Sequence, residues 1–310
     1  MKTAIIGAGI SGLYLAWKLA EKGEEISVFE KKGNIGKEIC SGLFSERILE
    51  FIPESKNLIK NQIDYCLIHF PKKTLKVKFS GNFFIIDHSD LDKLVASLAE
   101  KAGAKFFLNH LISSLPDGFD RIIGCDGVMS QTRKILNSKE PEYRLGIQGF
   151  VLEKDNSNFI EAWPTSSGFC WKIPRGENIE YGIMDDPKTC KINFDNFLKD
   201  KKIQIEKIQS ALIPNNLTIL SNSSVALCGD AAGLTKPWSG GGVIWSLVAC
   251  QVLLKNFPDF IKYANGVKRA FLPKIIIGKL AKKAVYFTGF KIPWILPNEF
   301  KIESDFLINH

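Results

Sequence analysis

The 310-residue chain reads as an α/β protein in which a Rossmann-like parallel sheet is interlocked with an antiparallel sheet and followed by C-terminal helices. Three observations predict this. A buried apolar strand runs into a glycine-rich turn at the N-terminus, and a second strand, acid and glycine segment returns far downstream. Stretches of alternating polarity lie between the two, and a basic helical tract follows them.

The first segment is Met1-Lys-Thr-Ala-Ile-Ile-Gly7-Ala-Gly9-Ile-Ser11-Gly12, a strand ending in GxGxxG, then an apolar-periodic helix from Leu13 to Lys22. A second short strand, residues 25–29, ends at Glu30, eighteen positions after Gly12, where a carboxylate can accept from an adenosine ribose. The glycines allow a tight turn and a close approach of backbone N–H groups, so a pyrophosphate can sit at the positive end of the helix dipole. A lone GxGxxG is a weak signal; strand, turn, helix, strand and acid in order mark a dinucleotide site.

The downstream segment decides which dinucleotide. Strand Val225 to Cys228 delivers Gly229 and Asp230, whose carboxylate suits ribityl hydroxyls. Gly240-Gly241-Gly242-Val243 then opens a helix, Val243 to Lys255, whose first N–H groups can face a flavin pyrimidine. An NAD domain needs no second glycine-rich element, whereas FAD is long enough to require one. The Rossmann-like domain is therefore expected to bind FAD; the competing reading is a glycine-rich loop before an ordinary core helix.

Four further segments complete the pattern: Gly36-Lys-Glu-Ile-Cys40-Ser41-Gly42, Ile86-Asp87-His88-Ser-Asp-Leu-Asp92, Asp126-Gly127-Val-Met-Ser130-Gln-Thr-Arg133, and Phe169-Cys-Trp171-Lys-Ile-Pro174 with Tyr181-Gly182-Ile-Met184. With them the chain resembles the geranylgeranyl reductase family of flavoproteins, a branch of the group that includes the para-hydroxybenzoate hydroxylase-type monooxygenases. His88 stands where that family usually has Arg, and Phe169, Ile173 and Met184 also depart from its pattern but stay apolar. Hydroxylases usually carry His after Gly-Asp-Ala-Ala and later Gly-x-Gly-x-Asn; Gly233 and Gly-Gly-Gly-Val here favour the reductase branch. The resemblance implies FAD contacts at Gly7, Gly9, Ser11, Gly12, Glu30, Lys31, Cys40, Ser41, Gly42, His88, Leu111, Asp126, Gly229, Asp230, Gly241, Gly242 and Val243. It implies substrate contacts at Phe169, Trp171, Pro174, Tyr181 and Gly182, and it places Cys40 nearest the reacting centre, as proton donor or as a packed loop residue.

Composition bounds the rest. Seven cysteines show no CxxC pair, and neither they nor the four histidines have metal-ligand spacing, so no metal or iron–sulfur cluster is expected and the thiols read as reduced. The N-terminus enters the first strand directly and the longest apolar run, 243–254, is shorter than a bilayer span, so a cytoplasmic protein is expected. Residues 255–291 hold nine basic side chains and one acid, a net of +8, which equals the net charge of the whole chain. Within that region 274–287 places apolar residues at 276, 277, 280, 284 and 287 among lysines, as a helix lying on the inner face of an anionic membrane would. A helix packed on the core with a solvated Lys face fits the same pattern. No motif points to nucleic acid.

The order of motifs assigns 1–50, 88–135 and 222–256 to the FAD-binding domain, 51–87 and 140–221 to a substrate-covering sheet, and 257–310 to a basic helical segment. The implied activity is saturation of isoprenoid double bonds of geranylgeranyl groups, on an archaeal-type ether lipid or a prenyl diphosphate, with NAD(P)H, ferredoxin or a deazaflavin as electron donor. The alternatives are an FAD-dependent monooxygenase or halogenase, and a non-catalytic flavin- or lipid-binding protein.

Overall fold

The computed structural model describes residues 1–36, 39–303 and 305–307. Strands β1 (Lys2–Ile6) and β2 (Glu25–Phe29) pair in parallel across helix α1 (Ile10–Ala20), which begins directly after Gly9 and so starts earlier than the apolar period alone indicated. All of α1 except Lys18 is buried. That fits a crossover helix covered by other elements on several sides, and it explains why its polar face is so thin.

The parallel sheet has the order β13 (Val225–Leu227), β7 (Arg121–Gly124), β1, β2 and β6 (Lys105–Phe107). Its central strands read as continuous apolar runs because both faces are covered. Helix α3 (His88–Lys101) and helix α6 (Val243–Asn256) pack on α1, and one apolar cluster joins them, including Leu13, Leu91, Trp245 and Leu253. The two glycine-rich segments thus belong to one core, although the sequence separates them widely.

The second sheet runs β12 (Ile208–Pro214), β8 (Tyr143–Val151), β11 (Ile179–Asp185), β10 (Phe169–Pro174), β9 (Phe159–Pro164), β4 (Asn61–Phe70), β5 (Lys73–Ile85) and β14 (Glu299–Ile302), with β3 (Leu43–Ser45) also paired to β5. It is mixed rather than purely antiparallel, because β4 meets β9 and β5 meets β14 in parallel. Alternating polarity reveals that one face of a strand is buried, not which way its neighbour runs, so the expectation was right about strands and too simple about pairing. The C-terminal segment is likewise not wholly helical, since β14 follows the long helix α7 (Phe260–Lys291) and closes an edge of this sheet. The remaining helices are short α2 (Ile48–Phe51), α4 (Gln131–Ile135) and α5 (Cys190–Lys201), the last packed under β8 and β11.

Arg133, on α4, is fully buried and fastens three parts of the fold together. It donates to Ala231 O at 3.0 Å, to Val128 O at 2.7 Å and to Glu140 Oε2 at 2.6 Å. This guanidinium is therefore structural, holding the turn after β7 against the turn after β13. Because Glu140 is partly solvated, removing the cation strands mainly the two backbone carbonyls. Arg133→Met is expected to cost about 3 kcal/mol, near the low end for breaking a buried ion pair, as measured by urea unfolding; a loss under about 0.5 kcal/mol would contradict the clamp.

Candidate dinucleotide site and its junction with the second sheet

Two of the three glycines in the turn after β1 admit no side chain. Gly7 has φ +102°, and a Cβ there would lie 2.4 Å from Cys125 O. At Gly12 a Cβ would lie 2.1 Å from Gly7 O, whereas at Gly9 it would meet nothing within 4 Å. Gly7 and Gly12 therefore shape the turn, and Gly9 leaves open the side from which a pyrophosphate can approach. Gly229 does the same work across the core: at φ +65° its Cβ would come 2.4 Å from Ser11 Oγ. This is where the two glycine segments touch.

Between them lies a cavity of about 480 Å³. Gly7, Gly9, Ser11, Glu30, Lys31, His88, Leu111, Asp126, Asp230, Gly242 and Val243 line it. Gly12 and Gly229 sit behind its wall, and Gly241 lies against Lys236, where a Cβ would be 3.1 Å from Cε. Glu30 turns its carboxylate back into the loop, accepting from Ala8 N at 2.8 Å and Lys32 N at 2.9 Å. Asp126 Oδ2 accepts from Thr132 N at 2.9 Å, while Oδ1 is buried with no hydrogen-bond partner among the described residues. Such an orphan acceptor on a cavity wall fits a ligand hydroxyl. Helix α6 opens on the same cavity, and its N-cap Gly242 supplies no side-chain cap, so its first turn faces the cavity with the positive end of the helix dipole. An elongated dinucleotide reaching from the Gly9 turn to the start of α6 fits these residues.

Cys40, Ser41 and Gly42 do not line this cavity. Cys40 lies on a second one of about 350 Å³, together with Lys60, Asp87 and Arg175. Lys37 and Glu38 of the same loop lie outside the described residues. Arg175 holds the loop: its Nη1 donates to Ser41 O at 2.7 Å and to Glu180 Oε2 at 2.8 Å, and its Nη2 to Asp87 Oδ1 at 2.5 Å. Gly42, at φ +63°, must remain a glycine because a Cβ would strike Ile86 O at 2.3 Å. Burial pushes the Glu180 carboxyl up, against the pull of Arg175 and of the Trp171 indole. Trp171 Nε1 donates to Glu180 Oε1 at 2.9 Å, so one line of hydrogen bonds runs from β10 to the Cys40 loop.

Register divides the residues expected to touch substrate. Trp171 stands opposite Gly182, where a Cβ would come within 2.2 Å of the indole, and Phe169 is on the same face with rings 5.9 Å apart. That face continues through Met184 to Gly240, whose Cβ would lie 2.4 Å from Met184 Sδ. Tyr181 pairs with Lys172, so it and Pro174 belong to the opposite face and do not join Trp171 on a single wall.

His88 lines both cavities. Its ring is buried, packs edge-on to Phe44, and lies 3.4 Å from Asp92 Oδ1 one helical turn on. Burial opposes charge on the ring, but Cys40 and Asp92 beside it more than offset burial and lift its pKa to about 10. Sequence reasoning placed Asp92 in a motif without pairing it to His88, and it did not single out Arg175 or Glu180. The pairing was readable from the place of Asp92 four residues after His88 on a helix; Arg175 and Glu180 gave no signal beyond adjoining the Trp171 segment.

Comparison with known proteins places this geometry. Residues 5–46 match the model of an NAD(P)-binding Rossmann-like domain. Digeranylgeranylglycerophospholipid reductase 2 of Methanopyrus kandleri is 24% identical over 80% of this chain and 74% of its own length. The crystal structure of a geranylgeranyl bacteriochlorophyll reductase-like protein from Thermoplasma acidophilum superposes with TM-score 0.80 at 20% identity, covering 91% of this chain and 86% of that one. The myxobacterial chondrochloren halogenase, a variant of FAD-dependent halogenases, superposes with TM-score 0.71 at 13% identity over 92% of this chain and 82% of its own.

A raised His88 pKa stabilises the folded state fully below the ring's unfolded value of 6.5, and the contribution is lost as pH rises through about 10. Melting temperature is therefore expected to fall between those limits and the slope to flatten in His88→Gln; equal slopes in both proteins would refute the charged ring. In sequence over four-fifths of its length, and in fold over nine-tenths of it, the chain is similar to geranylgeranyl reductases.

Proposed function

We propose that this chain is an FAD-dependent oxidoreductase that saturates carbon–carbon double bonds of geranylgeranyl groups carried on an ether lipid or a prenyl diphosphate. The observation that carries this reading is the meeting of a dinucleotide cavity with an apolar sheet face. Gly240, at the entrance to α6, abuts Met184, and Phe169 and Trp171 continue the same face. The relatives named reductases support the reaction class.

Gly7, Gly9 and Ser11 would hold the pyrophosphate and Asp126 a hydroxyl of the cofactor. Asp230 and the start of α6 would hold its ring end. Bound FAD, once reduced, supplies the hydride that an isolated double bond requires. Phe169 and Trp171 press an isoprenoid chain against that end and exclude water, and Glu180 keeps the indole from rotating. Cys40 and His88 keep a proton at the junction of the two cavities, within a loop that Arg175 holds in place. The reducing equivalents would come from NAD(P)H, ferredoxin or a deazaflavin.

The test is anaerobic. Dithionite-reduced, FAD-loaded protein mixed with a geranylgeranyl lipid should reoxidise without oxygen and yield lipid heavier by two mass units per double bond. Flavin that stays reduced until oxygen is admitted, with unchanged lipid, would instead favour the monooxygenase or halogenase reading that the halogenase fold keeps in view. Lipid bound but never altered under either condition would favour a carrier. Trp171→Ala should lower kcat/KM at least about tenfold with the flavin spectrum retained. Cys40→Ala should lower kcat about 100-fold if the thiol delivers the proton, and full turnover would assign it to packing.

A further inference from the structure

Helix α7 has two apolar faces and only one is used. Its inner face buries Tyr263, Val267, Phe271 and Ile275, and Gly278 admits the Trp238 ring, to which a Cβ would come within 2.5 Å. Farther along, Lys282 Nζ donates to Ser167 O at 3.0 Å and the Tyr286 hydroxyl to Gly168 O at 2.7 Å, so the helix is held down along its length. The outer face carries Leu272, Ile276, Leu280 and Phe287, four, four and seven residues apart, which is one continuous stripe on a helix. Ile276 is 58% exposed, Leu280 61% and Phe287 61%, and Trp294, just past the helix, is 75% exposed. Most of the apolar positions that the sequence left undecided between core and surface therefore point to solvent. A run of large apolar side chains on one exposed helix face is a docking surface rather than scattered surface residues.

The charge around the stripe identifies what it meets. From residue 260 to 298 the chain contains no Asp or Glu and eight Lys or Arg. Arg269, Lys283 and Lys291 are exposed on the outer side among the apolar residues. Among the described residues, no helix is long and apolar enough to cross a membrane, so the stripe can lie on a bilayer but α7 is no span. We infer that the outer face of α7, continued by Trp294 and Ile295, docks the protein onto an anionic lipid bilayer, with the apolar stripe at the acyl boundary and the cations among the headgroups. A second copy of this chain would have to bring acidic side chains to the same stripe, and the stripe itself offers none.

Vesicle flotation tests this without reference to turnover, so its outcome is independent of the reductase reading. The intact chain should float with vesicles of equal parts phosphatidylglycerol and phosphatidylcholine, remain behind with phosphatidylcholine alone, and be released by salt. Ile276→Ser/Leu280→Ser/Phe287→Ser, with an unchanged thermal melt, should lose flotation. Arg269→Gln/Lys283→Gln/Lys291→Gln should weaken it by about fivefold per cation removed. Failure of the wild-type chain to float with the anionic vesicles, or equal flotation with both kinds, would overturn the inference. So would a concentration-dependent dimer in sedimentation velocity that the triple serine variant abolishes while no vesicle is bound, which would assign the stripe to a second copy.

Discussion

Two backbone approaches, each closed to any side chain, set the geometry on which the rest depends. Gly7 packs on the carbonyl of Cys125, and Gly229 packs on the hydroxyl of Ser11. The first brings the turn after β1 down onto the end of β7, and the second brings the turn after β13 against the first turn of α1. A methyl group at Gly7 would push the turn off the end of β7, and one at Gly229 would displace the Ser11 hydroxyl at a backbone angle that L side chains rarely adopt. Because both approaches are that close, residues remote in sequence face a single elongated cavity, and helix α6 begins on it. The contact is steric before it is chemical; the acids and amides around the cavity acquire meaning only once it is satisfied.

A second constraint joins the two sheets. Arg175 reaches from the end of β10 to the Ser41 carbonyl and the Asp87 carboxylate, while its other partner, Glu180, grips Trp171. Burial raises the cost of separating any of these groups, so the position of the Cys40 loop and the orientation of the indole are coupled. Lys60 also pairs with Asp87, and together with Arg175 it holds that carboxyl below its usual range even though burial works the other way. A junction built in this way can keep a loop cysteine, a buried imidazole and an apolar wall in fixed relation without a long rigid element.

The parts legible in the sequence are those enforced locally. GxGxxG, the acid at position 30, the strand at 225 and the helix start at 243 could be read because turn chemistry and periodicity fix them within a few residues. The parallel pairing of β4 with β9, and of β14 with β5, could not, because pairing depends on neighbours that no alternation pattern names. The same limit applied within the site. Phe169, Trp171, Pro174 and Tyr181 sit in one stretch of motif, yet register sends Tyr181 and Pro174 to the other face. Arg175 and Glu180 escaped notice because an ion pair is visible only once both strands are in place. On α7 the periodicity was plain, but whether its stripe faced core or solvent depended on a second apolar face that packs inward.

The central claim is that the two glycine segments serve one long ligand, FAD, rather than a nicotinamide dinucleotide on the first segment alone. Absorbance and calorimetric titration of the nucleotide-free protein with FAD, NAD⁺ and NADP⁺ tests it most directly. Expected is one FAD bound per chain with a perturbed flavin spectrum, together with selective loss of that binding in Asp126→Asn at unchanged melting temperature. Tight binding of NAD⁺ or NADP⁺ that excludes FAD, with no spectral change on adding the flavin, would contradict it.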